Sequence, residues 1–143
     1  MQRGGAGERR LLQVAIAVFG LVPVAAGLAG CFFGPEIFSH GISVGRDLDS
    51  HGRYLSGLLA GVGLSFWGCI PAIEREGSRI RLLAAIVVVG GLARLYGVLV
   101  QGLPETGMIA ALVMELGVTP ALALWQMRIE RQGTTADDGS ASG

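Results

Sequence analysis

The sequence contains no lysine and few charged residues of any kind. Its 143 residues include 11 basic residues, all of them arginine, and 11 acidic residues, and only 15% of the chain is charged. Typical soluble domains are about 25% charged. The net charge of zero leaves no basic excess for binding nucleic acid, so we expect no nucleic-acid partner. A hydrophobic content of 51% excludes a disordered polymer.

Cysteine and histidine are also scarce. Two cysteines provide neither a disulfide framework nor a zinc site. His51 has no second histidine or cysteine at the spacing of metal ligands, so the sequence predicts no metal site. No ligand set for a quinone, haem or flavin is evident, and we therefore expect no cofactor.

Four long apolar stretches dominate the chain, over residues 11–33, 54–73, 80–100 and 107–127. Each has about the 20 residues that a helix needs to cross a bilayer. The first two stretches contain no charged residue, so they lack the polar face of a soluble helix. The pattern predicts an all-α integral membrane protein whose partner is the lipid bilayer.

The segments between the stretches indicate how the helices are arranged. The connections at residues 74–79 and 101–106 are short, which makes neighbouring helices antiparallel and favours a four-helix bundle. Residues 1–10 form a short N-terminal segment. Residues 128–143 end in a Thr-, Ala-, Asp-, Gly- and Ser-rich tail that we expect to be disordered.

The arginines are distributed unequally between the two sides of the predicted membrane domain. Eight of the 11 lie at the N-terminus, after the fourth stretch, or in the second connection together with Arg81 at the adjoining edge of the third stretch. The first connection holds only Arg46 and Arg53, and Arg94 lies inside the third stretch. Since arginine accumulates on the cytoplasmic side, the sequence predicts that both termini are cytoplasmic and that the protein is a multi-pass protein of the cell membrane.

The segment Leu28-Ala29-Gly30-Cys31 resembles the lipobox of a bacterial lipoprotein signal. The apolar run before it is longer than that of a signal peptide. Phe32 and Phe33 continue the apolar stretch, and three more stretches follow. We therefore interpret Cys31 as a small apolar residue of an uncleaved helix; lipidation of Cys31 is the alternative.

Glycine is abundant, with 24 residues, and many recur at helical spacing. Small residues three or four apart allow membrane helices to approach closely, within one chain or between copies of it. The sequence predicts such packing at five positions: Gly57, Gly61, Gly90, Gly91 and Gly97.

Arg94 and Glu115 are the two charged residues well inside the apolar stretches. At 1.5 Å per helical residue they lie about 9 Å and about 12 Å from the same side of the membrane. Placing one charged side chain in the bilayer costs at least about 2.5–3.5 kcal/mol, and pairing it with an opposite charge offsets that cost. We therefore predict an ion pair between Arg94 and Glu115. The pair either sets the register of two helices or forms part of a polar pocket.

Several polar residues precede the second stretch on that same side. Together with the pair they would line an outward-facing pocket, with His51, Arg53, Arg94 and Glu115 as candidates for acid–base or anion-binding roles. Asp47, Asp49 and Tyr54 would form its rim. The alternative is a solvated interfacial loop that Tyr54 anchors.

Four motifs together resemble a bacterial family of small four-span proteins. They are His51-x-Arg53-Tyr54-x-x-Gly57, Ile70-Pro71-Ala72-Ile73-Glu74-Arg75, Gly90-Gly91-Leu92-Ala93-Arg94-Leu95 and Glu115-x-x-Val118-Thr119-Pro120. The family is defined by a domain of unknown function and is loosely similar to DoxX-like membrane proteins. The resemblance implies a four-helix membrane fold in a bacterial inner membrane and no particular activity.

Three functions fit this sequence, and whether the protein is an enzyme stays open. The first is a binding or enzymatic membrane protein with a small polar pocket built on the Arg94–Glu115 pair. The second is a small proton-coupled transporter. This function is disfavoured because an arginine partner would keep Glu115 ionised. The third is an accessory subunit of a larger membrane complex, possibly a redox complex.

Overall fold

A computed structural model describes residues 3–38 and 43–140, and nearly all of them are helical. The α-helices are α1 (Arg3–Phe33), α2 (Arg46–Cys69), α3 (Gly77–Gln101), α4 (Thr106–Val113) and α5 (Thr119–Ser140). Short 3-10 turns cover Pro35–Phe38 and Ile70–Ala72, and a π-helix, Met114–Val118, joins α4 to α5 without a break. These described residues contain no strand, which confirms the predicted all-α class.

Four helical segments are long and apolar enough to cross a membrane, as the sequence predicts. They are Ala6–Phe33, Arg46–Ala72, Gly77–Gln101 and Thr106–Arg131. The second begins eight residues before the predicted stretch at residue 54. Asp47 and Asp49 lie in its first turn, where the helix dipole favours negative charge, so this polar segment is helical rather than a loop.

The helices also extend beyond the predicted stretches at the chain ends. Residues 3–10 belong to α1. At the other end α5 continues to Ser140, through much of the segment for which the composition predicts disorder. Extending an existing helix needs no new nucleus, so weak helix formers can follow the apolar turns. Residues 141–143 of the predicted tail lie outside the described residues.

The chain divides into two compact units. The hairpin unit is Val14–Ile70, and the larger unit combines Met1–Gln13 with Pro71–Gly143. Neighbouring helices are antiparallel within each unit. A bundle of all four helices and a cytoplasmic location of both termini remain predictions.

Small residues hold the two helices of the hairpin unit together. Gly27 faces the α2 backbone so closely that a Cβ there would lie 2.6 Å from the carbonyl oxygen of Ser56. Trp67 packs on Gly20 and donates its indole N–H to the carbonyl of Ala17 at 3.1 Å. Because residue 27 faces residue 56 and residue 20 faces residue 67, the helices run in opposite directions.

On the α2 side of this contact, the packed residues are not the glycines predicted for that helix. The α2 face that packs on α1 includes Ser56, Ala60, Gly63 and Trp67, whereas Gly57 and Gly61 lie one position later. One residue rotates a position by about 100° around a helix, so the predicted stripe is offset from the packed face. Among the described atoms, a Cβ at Gly57 would meet only Cys31 Sγ, at 3.7 Å, and one at Gly61 would meet nothing within 4 Å.

The larger unit packs α3 against the continuous α4–π–α5 segment. Gly77 of α3 lies against Glu130 near one end of the contact, and Gly91 lies against Leu116 near the other. This pairing makes the two segments antiparallel. The buried apolar side chains between these points are Ile80, Leu83, Ala84, Ala123 and Ile129.

Polar contacts connect three parts of the larger unit at the Gly77–Glu130 end. Arg81 pairs with Glu130 at 2.9 Å, which joins α3 to α5. Trp125 Nε1 donates to Glu8 Oε1 at 3.3 Å, which joins α5 to the start of α1. Arg9 pairs with Glu74 at 3.3 Å. Arginines that the sequence assigns to the cytoplasmic side therefore also fix helix ends to one another.

Candidate functional site

Arg94 of α3 and Glu115 of the π-helix form a two-pronged ion pair. Nε of Arg94 donates to Oε2 of Glu115 at 3.0 Å, and Nη2 donates to Oε1 at 3.0 Å. The side chains are 34% and 17% exposed. Parallel hydrogen bonds of this kind fix orientation as well as distance. The ion pair predicted from the matching depths of the two residues is therefore present.

The π-helix around Glu115 follows from the residues at its end. Pro120 has no N–H, and its ring would clash with the carbonyl of Leu116 in a regular α-helix. Widening the turn over Met114–Val118 relieves that clash. Thr119 closes the wide turn, because both its backbone N–H and its hydroxyl donate to the carbonyl of Met114, the hydroxyl at 2.9 Å. Single π-turns inside α-helices are frequent at functional sites.

Gly91 allows α3 to approach this turn. It is buried and lies one helical turn before Arg94, on nearly the same face of α3. A Cβ at Gly91 would come within 2.8 Å of Leu116 Cδ2 and 2.9 Å of Glu115 Cβ. The absence of a side chain therefore brings the two backbones close enough for Arg94 to reach both oxygens of Glu115.

A pocket of about 310 Å³ opens beside Arg94, between the end of α3 and the start of α4. It is an open groove rather than an enclosed cavity, and its volume is at the lower end of the range for small-molecule sites. Arg94 is the one charged residue among the described residues that line it. The others are Gly97, Val98, Gln101, Gly102, Pro104 and Met108.

Met108 provides a weak partner for the rest of the guanidinium. Nη1 of Arg94 lies 3.0 Å from the Met108 sulfur. A thioether is a poor hydrogen-bond acceptor, and arginine carries five N–H groups. Glu115 accepts from two of the five. The N–H groups on the pocket side of Arg94 are therefore the least satisfied donors of the site.

Arg53 of the hairpin unit has a different set of partners. Its Nε donates to Asp49 at 2.8 Å, and its Nη1 donates to the carbonyls of Cys31 at 2.7 Å and Phe32 at 3.1 Å. These carbonyls belong to the last turn of α1, where the helix itself leaves such groups without donors. Arg53 thus caps α1, a role that the sequence analysis did not identify.

Gly34 completes this cap. It has φ +80°, the left-handed conformation typical of the glycine after a helix, and its N–H donates to the carbonyl of Gly30 at 3.0 Å. A Cβ here would lie 2.7 Å from Asp49 Oδ1 and 2.8 Å from Arg53 Nη2. The Asp49–Arg53 pair therefore closes over a position that only glycine occupies without strain.

The remaining predicted rim residues lie near the start of α2. His51 is exposed, and its ring centroid is 6.5 Å from that of the exposed Tyr54. Asp47 is also exposed. All of these side chains belong to the hairpin unit, whereas Arg94 and Glu115 belong to the larger unit. A common cavity lined by both groups stays a prediction.

Three of the predicted packing glycines belong to α3, and they differ in surroundings. Gly91 makes the close approach to the π-helix described above. A Cβ at Gly90 or Gly97 would meet no described atom within 4 Å. Gly97 instead lines the pocket. Spacing alone cannot distinguish a glycine that allows contact from one that leaves space.

Sequence reasoning also missed Gln126, which lies completely buried in α5. Its Nε2 donates to the carbonyl of Ile73 at 3.1 Å, and its Oε1 has no hydrogen-bond partner among the described residues. The only signal in the sequence is one amide within an otherwise apolar run. As for metals, no group of three or more His, Cys, Asp or Glu side chains in residues 3–38 and 43–140 could hold an ion.

Comparison with known proteins gives one match. The chain matches the family model of a domain of unknown function, DUF4345, over residues 11–126. No curated protein and no solved structure matches it. The matched range contains the first three apolar stretches and all of the fourth except its last residue. It also contains Arg94, Glu115 and every described residue that lines the pocket. The chain is therefore a member of the DUF4345 family.

Proposed function

We propose that this chain is a multi-pass protein of the cell membrane that binds a small molecule in the pocket beside Arg94. One observation carries the proposal: the pocket of about 310 Å³ adjoins a guanidinium whose Nη1 has, among the described residues, only a thioether sulfur as its acceptor. An intramembrane ionisable residue is expensive, and such residues commonly serve function. A ligand oxygen would supply the acceptor that Arg94 lacks.

The contacts of Glu115 support binding rather than proton transfer. Both of its carboxylate oxygens accept hydrogen bonds from Arg94 at 3.0 Å. A proton or a substrate would have to compete with Arg94 for these oxygens, which disfavours a role in acid–base catalysis or in proton-coupled transport. The pairing also holds the guanidinium in one orientation before a ligand arrives, which lowers the entropy cost of binding.

Met108 offers a direct reporter of binding. The full-length protein, labelled at its methionine methyl groups with ¹³C, is placed in phospholipid nanodiscs and titrated with acetophenone, benzoate and ethylbenzene. Met108 lines the pocket, whereas Met127 does not. We expect a saturable shift of the Met108 resonance, identified by its loss in Met108→Leu, and no saturable shift of Met127.

A pair of glycine variants controls for unspecific partitioning of the probes into the bilayer. A Cβ meets no described atom within 4 Å at either Gly97 or Gly90, but only Gly97 lines the pocket. Gly97→Leu should fill the pocket and abolish the saturable shift, and Gly90→Leu should preserve it. If no probe shifts Met108 in the wild type, or if Gly97→Leu responds like the wild type, the proposal is wrong.

A further inference from the structure

The charges and donors of the pocket define the chemistry of its ligand. We infer that the pocket takes an uncharged, mostly apolar molecule that presents one hydrogen-bond-accepting oxygen, such as a ketone or ester carbonyl, to Arg94. This inference rests on the proposed binding function and specifies its ligand class. Three observations carry it: the charge balance, the unused donors and the composition of the walls.

The charge balance disfavours an anion. Arg94 is positive, but Glu115 neutralises it through two hydrogen bonds of 3.0 Å. No second basic residue is among the described residues that line the pocket. A bound carboxylate or phosphate would therefore add an uncompensated charge to a partly buried site, which is costly. An uncharged ligand leaves the balance at zero.

The unused donors favour an acceptor oxygen. Of the five N–H groups of Arg94, Glu115 takes one on Nε and one on Nη2. Nη1 faces Met108, a residue that is 39% exposed and whose sulfur is 3.0 Å away. Methionine is flexible, so its thioether can move aside. A carbonyl oxygen in its place would accept a stronger, charge-assisted hydrogen bond.

The walls determine the rest of the molecule. Val98, Pro104 and Met108 present apolar surface, and Gly97 and Gly102 present no side chain. Gln101, the last residue of α3, has the one uncharged polar side chain among the described lining residues. Arg94 lies seven residues earlier in that helix, about 10 Å deeper at 1.5 Å per residue. The oxygen-bearing end of the ligand would therefore lie at Arg94, and its apolar body would extend along α3 towards Gln101.

The three probes named above separate this inference from the binding function, since they share a benzene ring and differ in the attached group. Apparent dissociation constants are compared at equal free concentration, after correction for partition into the bilayer. Acetophenone should bind about tenfold or more tightly than ethylbenzene, because a hydrogen bond to a charged donor contributes that much. It should also bind more tightly than benzoate.

A double variant shows whether Arg94 causes the preference. Replacing both partners, Arg94→Met with Glu115→Met, removes the donors without leaving an unpaired charge. Its preference for acetophenone over ethylbenzene should disappear while ethylbenzene still binds. The ranking in the wild-type protein decides the ligand class even if this variant does not fold.

Each contrary outcome has a distinct meaning. Tightest binding of benzoate would overturn the uncharged class, and equal binding of acetophenone and ethylbenzene would overturn the acceptor oxygen. Both results would leave the binding function intact. Failure of all three probes to bind would instead contradict the proposed function, and the ligand class with it.

Discussion

Gly91 and Glu115 lie in direct contact across α3 and the π-helix. A Cβ at Gly91 would come within 2.9 Å of the Cβ of Glu115. The contact sets the distance over which Arg94 reaches its partner, so this glycine is a structural part of the ion pair although it carries no charge.

Gly91→Ala should destabilise the protein, because the new methyl group must displace Leu116 and Glu115. Overpacking of this kind costs about 1–3 kcal/mol. The adjacent Gly90→Ala is the matched control, since a Cβ there meets nothing described within 4 Å. The free energy of unfolding of Gly90→Ala should equal that of the wild type or exceed it by up to about 1 kcal/mol, because alanine is the better helix former. Unfolding in mixed micelles measures the free energy of unfolding of both variants. Equal values for Gly91→Ala and Gly90→Ala would show that Gly91 is not in the close contact described.

Removing one member of the Arg94–Glu115 pair should cost more than removing both. Glu115→Met alone leaves a guanidinium without its counter-charge, which costs about 3–5 kcal/mol in a fully buried site and less here, because the Arg94 side chain is 34% exposed. Adding Arg94→Met removes that charge, so the double variant should recover most of the loss. Thermal unfolding in nanodiscs tests this order. A double variant less stable than both singles would contradict this prediction. It would show that the pair contributes more to stability than the neutralisation of its own two charges.

The pair was predictable because its depth depends only on counting residues along two helices. What sequence could not supply was the local geometry that makes the pair two-pronged. The π-helix arises from the combination of Thr119 and Pro120, and proline alone more often indicates a kink. The role of Gly91 as opposed to Gly90 depends on which face of α3 meets the π-helix, and adjacent glycines leave that choice open.

Gly34→Ala should weaken the hairpin unit. Alanine at φ +80° is strained, and its Cβ would also collide with Asp49 and Arg53. Gly45→Ala is the control, because Gly45 has φ −62° and no described atom within 4 Å of its Cβ position. Gly34→Ala should lose more than the roughly 1–2 kcal/mol that backbone strain alone costs, whereas Gly45→Ala should stay close to the wild type. A loss at Gly34 no larger than the strain alone, measured as an unfolding free energy, would show that the cap yields without cost.

Arg53 illustrates a second limit of sequence reasoning. An arginine near the mouth of a predicted pocket suggests anion binding, but the carbonyls at the end of α1 compete for the same donors. Cys31 and Phe32 are about 20 residues away in sequence, so nothing local indicates the contact. The extent of α2 was missed for a related reason: the polar residues of its first two turns have the composition of a loop.

Gln126 allows packing and polar contributions to be separated. Gln126→Met should remain within about 1 kcal/mol of the wild type, because it removes Oε1, which has no partner among the described residues, as well as the donor to Ile73. Gln126→Ala should lose about 2–4 kcal/mol, because it also leaves a cavity at a fully buried position. Unfolding in mixed micelles again measures both. If methionine is as damaging as alanine, Oε1 has a partner such as an ordered water.

The π-helix has a consequence for chain length in this family. A single π-turn accommodates one residue more than an α-helix of the same rise, so Met114–Val118 acts as a one-residue insertion. Deleting Gly117, where a Cβ would meet no described atom within 4 Å, would remove the extra residue but bring the ring of Pro120 against the carbonyl of Glu115, four residues before it in the shortened helix. A sequence one residue shorter in this segment would therefore need a residue other than proline at the position of Pro120 to keep a regular α-helix there.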